Sequence, residues 1–139
     1  WIDTNIIIRY VTDDHPVMSQ EVSMLMQQAE NGFICLKVSP LVIAECCWVL
    51  QSSYYQFSPK EIADVLTSFI VASGIDAEEQ DILIQALHEY ASSKVDFVDA
   101  YLAAVSSIHS EYPILTYNTK DFRKMSVEHY QPAQIMKEY

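Results

Sequence analysis

Glycine is almost missing: Gly32 and Gly74 are the only two in 139 residues. Gly-rich phosphate loops and the G-x-S-x-G nucleophile elbow therefore cannot be built. Bases are scarce as well, eight Lys and Arg against 19 Asp and Glu, for a formal net charge of −11. That balance argues against wide, nonspecific capture of phosphate backbones and favours a basic partner or divalent cations. The three cysteines, Cys35, Cys46 and Cys47, are an odd number, and helix neighbours point about 100° apart, so neither a disulfide framework nor a zinc site is suggested. A reduced cytoplasm fits. No apolar run reaches the roughly 18 residues that cross a bilayer, and the start has no signal-peptide pattern, so a soluble, intracellular protein without membrane contact is expected. The chain opens on Trp1 and not on methionine, which leaves room for upstream residues and a first strand that looks too short.

What is present is a chain half hydrophobic, long enough to bury a sizeable core and expected to form a single domain over 1–139. "WIDTNIIIRYV" reads as a strand end that turns into a short helix, closed by "TDDHP". Met18, Val22, Leu25 and Ala29 recur at spacings of four, three and four, a helical stripe in which the methionines fill core. "FICLKVS" reads as a buried strand. Ser39 with Pro40 caps a helix through "LVIAECCWVLQSSYY", and Ser58 with Glu61 makes a capping box for "IADVLTSFIVAS", which Gly74 ends. Helices over "EEQDILIQALHEYASS" and from Asp96 onward follow, then a strand "YPILTYN", a short helix or turn "TKDFRKM", and "SVEHYQPAQIM" ending in an edge strand. Strands alternating with helices predict an α/β domain with a mostly parallel central sheet, whose ligands sit beyond the carboxyl ends of the strands.

Four acids stand out by context: Asp3 after "WI", Glu45 in "LVIAECCWVL", Asp99 in "FVDAYLAAV" and Asp121 after "ILTYN". Each has a plain reading. Asp3 can cap the following helix, Asp96 can be an N-cap with Asp99 three residues on, and Asp121 can cap "FRKM" or pair with Arg123 or Lys124. Glu45 lies more than a turn past its cap, among Ile43, Ala44, Cys46 and Cys47, with no base nearby in sequence. Burying a carboxylate is costly unless it is paired or bound to a cation. If these acids meet, repulsion raises their pKa values unless a cation sits among them, and oxygen donors alone suit Mg²⁺ or Mn²⁺.

The segments "IDTNIIIRYV", "VSPLVIAECCWVL", "DFVDAYLAAV" and "ILTYNTKDF", in that order, resemble the signature segments of PIN-domain ribonucleases, most closely the VapC-like toxins of type II toxin-antitoxin pairs. The resemblance spans nearly the whole chain. It implies a three-layer α/β/α sandwich with a mostly parallel central sheet and an acidic pocket for Mg²⁺ or Mn²⁺ that cleaves RNA. By position it implies that Asp3, Glu45, Asp99 and Asp121 are the catalytic and metal-ligand acids. Asn5 matches the amide of "DTN", Thr116 and Asn118 match the polar strand end, and Asp96 is an accessory acid at most. A small antitoxin protein and a homodimer are further implications.

The expected chemistry is metal-dependent hydrolysis of RNA phosphodiester bonds, with Asp3 and Asp99 as direct ligands, Glu45 as a ligand or water-holding base and Asp121 as an outer or second-metal ligand. Asn5, Ser39, Thr116 and Asn118 orient the site, and Lys120, Arg123 and Lys124 contact RNA. An antitoxin arginine is expected to reach the carboxylates, docking by an apolar groove at Trp48, Tyr54 and Tyr55, although these aromatics, Trp48 above all, read rather as core. The rival classes are a catalytically inactive PIN-like interaction module, and a phosphatase for small molecules. The second suits the sequence less, because Asn5 stands where such enzymes place a second acid.

Overall fold

The computed structural model describes residues 1–136, so the last three residues of the expected domain lie outside the described residues. Its contacts divide the chain into two compact units, Trp1–Gln80 and the part from Asp81 onward.

In the first unit, α1 (Thr4–Thr12) follows an opening segment too short to be a strand, yet Ile2 N–H donates to the Lys37 carbonyl at 3.0 Å as a strand would. Ile7 and Ile8 of "NIIIRYV" are buried, each contributing about 1.5–3 kcal/mol of apolar burial. Next comes α2 (Pro16–Glu30), whose buried face is Ser19, Val22, Met26 and Ala29. The expected stripe is thus turned by about one residue: Met18 is exposed, and Ser19 takes the inner place because its hydroxyl donates to the Arg9 carbonyl at 3.0 Å. A pattern of period 3.6 accommodates both sets, and this hydrogen bond satisfies the one polar side chain that the buried face of α2 takes in. Methionine as core filler holds for Met26 and not for Met18 or Met24. Gly32, at φ +82°, closes α2: its N–H bonds the Ala29 carbonyl and the Phe33 N–H bonds that of Gln28, both at 3.0 Å.

Strand β1 (Leu36–Val38) leads to α3 (Pro40–Gln51), where Ser39 accepts from Leu41 N–H at 3.2 Å. The helix stops short of the expected "SSYY", because Ser52 leaves helical geometry and its hydroxyl takes the Val49 carbonyl at 2.6 Å. The capping box of α4 (Pro59–Ile70) is present, with Ser58 and Glu61 bonding each other's backbone N–H at 3.1 Å. Gly74 does not end α4, which finishes at Ile70; at φ +83° it carries the chain into β2 (Ile75–Ala77). A Cβ there would lie 2.3 Å from the Ala29 carbonyl oxygen. The "IDA" strand was not foreseen from the sequence. It pairs in parallel with β1, placing Lys37 opposite Asp76 in a 2.6 Å ion pair. Helix α1 packs on α2 and α3, α3 on α4, and α4 on β2.

The second unit holds α5 (Gln80–Ser93) from its second residue on, α6 (Phe97–Ile108), β3 (Ile114–Leu115), α7 (Thr119–Lys124), β4 (His129–Tyr130) and α8 (Pro132–Met136). The helix α6 buries Phe97, Ala100, Ala103 and Ala104 and packs on β3 and α7. The strands β3 and β4 pair in parallel, as do β1 and β2, so the α/β class with parallel pairing holds. "SVEHYQPAQIM" forms a two-residue strand and then α8, where Pro132 opens a helix in place of a strand end. Phe122 is the buried anchor of α7.

Candidate active-site acids

In the first unit, Asp3 is exposed at the N-cap of α1, with its carboxylate accepting from Ile6 N–H at 3.4 Å, a long and weak cap. The capping reading of Asp3 therefore describes its geometry, and the site reading has no quarrel with it. Asn5 is exposed in the same first turn. Glu45 is also exposed: its apolar neighbours Ile43, Cys46 and Cys47 are buried on another face of α3, so the run conceals a carboxylate that faces solvent. Asp3 and Glu45 both act on Cys46. Burial pushes that thiol well above its ordinary range, and the charges of Cys47, Glu45 and Asp3 push it further. Burial likewise raises the Cys47 thiol, to about 12. Neither sulfur is a thiolate near neutral pH, which excludes cysteine nucleophiles there.

Arg9, the base nearest Asp3 in sequence, is engaged elsewhere. Its guanidinium donates to Asp14 at 3.2 Å and to the Tyr55 hydroxyl at 3.3 Å, while Tyr55 donates to Asp14 at 2.7 Å and Thr12 to the same carboxylate at 2.9 Å. Tyr55 thus ties the loop after α3 to the end of α1, a network not foreseen from the sequence because its members lie 41 and 46 residues apart.

In the second unit, α6 and the start of α7 bring Asp99, Asp121 and Asn118 together. Asn118 Nδ2 donates to Asp121 at 2.9 Å and reaches Asp99 at 3.5 Å, while its Oδ1 accepts from the Asp121 N–H at 3.5 Å. Thr116 Oγ1 in turn accepts from Asn118 N–H at 2.8 Å. Burial first, then the charges of Asp96 and Asp121, hold the Asp99 carboxyl above its ordinary range, against a lowering by Asn118. Asp121 moves the other way, lowered mainly by Asn118 and then by Lys124 and Lys120. The two carboxylates share one amide yet titrate apart, because Asp99 is half-buried next to like charges and Asp121 is open to two lysines.

Asp96 stands at the N-cap of α6 but makes no side-chain capping bond, which corrects the expectation that it caps this helix. Its exposed carboxylate raises Asp99 instead. Of the expected RNA-contacting bases, Lys124 pairs with Asp121 at 3.5 Å, and Lys120 and Arg123 are exposed. Ser39 serves as the cap of α3. Trp48 is 80% exposed, which overturns its reading as core, and Tyr117, next to Asn118, is also 80% exposed.

Among the described residues, no group of three or more His, Cys, Asp or Glu side chains stands close enough to hold a metal ion. The donors present are nevertheless carboxylate and amide oxygens, the type that Mg²⁺ and Mn²⁺ accept, and the repulsion felt by Asp99 is of the kind a cation relieves. The clefts of the first unit, around Tyr10, Met26 and Phe69, and a cleft of the second, around Leu102, His109 and Tyr112, contain none of the four acids. Among the described residues no helix is long and apolar enough to cross a membrane.

A family model described as the PIN domain matches residues 1–128. The chain belongs to the PIN domain family, whose members are in general nucleases that require a divalent metal. No curated protein matches the chain.

Proposed function

We propose that this PIN domain is a divalent-metal-dependent endoribonuclease, acting as the toxin of a toxin-antitoxin pair. The observation that carries the reading is the Asp99–Asn118–Asp121 arrangement, two carboxylates sharing one amide, in a chain of a nuclease family. The reading assigns Asp3 and Asp99 as direct ligands, Glu45 as a ligand or holder of the attacking water, and Asp121 as an outer ligand. When bound, Mg²⁺ or Mn²⁺ supplies a Lewis acid that lowers the pKa of water and offsets phosphate charge.

The chain's own residues do the remaining work. Asn118 fixes the carboxylate of Asp121 and steadies Asp99, and Thr116 fixes Asn118 through its backbone. An ionised, half-buried Asp99 next to Asp96 and Asp121 favours an incoming cation over a bound proton. Ser39 caps α3, the helix that carries Glu45, and the reading gives the exposed amide of Asn5, in the first turn after Asp3, an orienting role. Lys120 and Arg123 contact the RNA backbone beside Asp121.

The net charge of −11 suits a small basic antitoxin whose arginine would compete for the carboxylates, and the resemblance to VapC-like toxins supports both this partner and a homodimer in the cytoplasm. A second reading, an inactive PIN-like interaction module, is favoured by the lack of a three-acid group among the described residues. Incubating the purified chain with a pooled, structured RNA in EDTA and in Mn²⁺ separates the two. Fragments appearing only in Mn²⁺ support the nuclease; intact RNA in both, with no heat of Mn²⁺ binding by calorimetry, supports the module.

A further inference from the structure

Helices α1 and α3 carry Glu45 and, at the N-cap of α1, Asp3, and the chain joins these helices at both ends. At their starts, Ile2, directly before Asp3, donates its N–H at 3.0 Å to the carbonyl of Lys37, which lies just ahead of Ser39, the cap of α3. At their finishes, the Tyr55 hydroxyl donates to Asp14 at 2.7 Å and accepts from Arg9 at 3.3 Å, while Arg9 donates to Asp14 at 3.2 Å. Both sides of this clasp are stiff. Asp14 follows Asp13, the left-handed cap of α1, whose N–H bonds back to the Arg9 carbonyl at 3.2 Å. Tyr55 sits in the loop after α3, which the Phe57 N–H folds back onto the Leu50 carbonyl at 2.9 Å, and its ring packs edge-on with those of Tyr54 and Phe57. The Arg9 Nε is buried without a hydrogen-bond partner among the described residues, a cost that bare stabilisation does not explain.

Resting on the metal-dependent nuclease reading, we propose that Tyr55, Arg9 and Asp14 are positioning residues, which fix the spacing of Asp3 and Glu45 by clasping the far ends of the helices that carry them. The twelve residues of α3 span about 18 Å, with Glu45 near the middle. If α3 pivots at its start, a clasp that opens by about 2 Å carries Glu45 by about 1 Å, beyond the roughly 0.5 Å within which a metal or catalytic constellation must be held. Asp3, beside the other join, hardly moves, so the spacing changes. The apolar packing of α1 on α3 is non-directional and tolerates a slide of that size, whereas the short hydrogen bonds of the clasp do not. Both acids already lie close enough to the buried Cys46 for their charges to act on its thiol.

The test uses the full chain, with Mn²⁺ affinity measured by calorimetry and cleavage of the pooled RNA followed in saturating Mn²⁺, well below the melting temperature of each variant. Tyr55→Phe and Asp14→Ala are each expected to weaken Mn²⁺ binding about three- to tenfold, at or below the lower end of what loss of a group bonded to a ligand costs, and to slow cleavage about tenfold. The double variant should be no weaker than the worse single one, because the clasp acts as a unit. Gly32→Ala, which costs stability through backbone strain outside both joins, should hold Mn²⁺ affinity within about twofold. Wild-type Mn²⁺ affinity and cleavage in Tyr55→Phe, at a lowered melting temperature, overturns the positioning role and leaves the nuclease standing. Mn²⁺ binding weakened as much in Gly32→Ala as in Tyr55→Phe tracks lost stability alone and also overturns it. Wild type that binds no Mn²⁺ removes the metal reading, and the role of the clasp with it.

Discussion

Asn118 and Asp121 hold each other twice, the Asn118 amide donating to the Asp121 carboxylate at 2.9 Å and accepting the Asp121 N–H at 3.5 Å. One side chain therefore both caps α7 and sets the charge of an acid in its first turn.

Asn118→Ala removes both bonds at once. The cap is worth about 1 kcal/mol of stability, and the carboxyl of Asp121 should move up, because Asn118 is the main cause of its lowering. Chemical denaturation reads the first effect and a carboxyl-detected NMR titration the second. An unmoved Asp121 titration would show that Lys124 and Lys120 alone hold it.

Asp99→Asn should make the metal-free protein more stable near neutral pH. The folded-state pKa of Asp99 is raised, so the folded protein holds this proton more tightly than the unfolded chain, and stability falls as pH rises through the window between the two pKa values. Removing the charge removes that loss. The melting temperature of the variant should exceed that of wild type at pH 7 and match it well below pH 4; a variant less stable at neutral pH contradicts the repulsion.

Tyr55→Phe acts on the opposite side of the ledger. The Tyr55 hydroxyl is the main cause of the lowered Asp14 pKa, ahead of Thr12 and Arg9. A lowered carboxyl contributes stability that is full above its unfolded pKa and lost as pH falls through the folded one. The variant should lose stability at neutral pH and show a weaker acid dependence, and thermal melts from pH 2 to 7 measure both.

Gly74→Ala should cost about 2–4 kcal/mol, at the large end for one substitution, since a Cβ would meet the rigid backbone of Ala29 and sit at φ +83°. Gly32→Ala meets open space, so only the left-handed strain of about 1–2 kcal/mol applies. Equal melting temperatures for the two variants would refute the close approach at Gly74.

Most elements were legible because they carried local chemistry. Ser39 with Pro40, and Ser58 with Pro59 and Glu61, announce helix starts without tertiary help, and both caps are present. What escaped depended on distant partners. Strand β2 is three residues long, and its identity rests on pairing with β1, 39 positions earlier. The inward turn of Ser19 depends on the Arg9 carbonyl, and the Arg9–Asp14–Tyr55 network on a loop beyond α3. At the site, Asp99 and Asp121 were marked by apolar context and strand position, and Asn118 indeed joins them. The exposure of Trp48 could not be read, because α3 is apolar on nearly every side and its sequence does not say which face the core claims.

The account stands or falls on Asp99. Wild type and Asp99→Asn should be incubated with the same pooled RNA in EDTA, Mg²⁺ and Mn²⁺, with Mn²⁺ affinity measured in parallel by calorimetry. The account predicts cleavage by wild type in the metals alone, and a loss of at least about a hundredfold in the variant together with weakened Mn²⁺ binding. Undiminished cleavage and metal affinity in Asp99→Asn would contradict it.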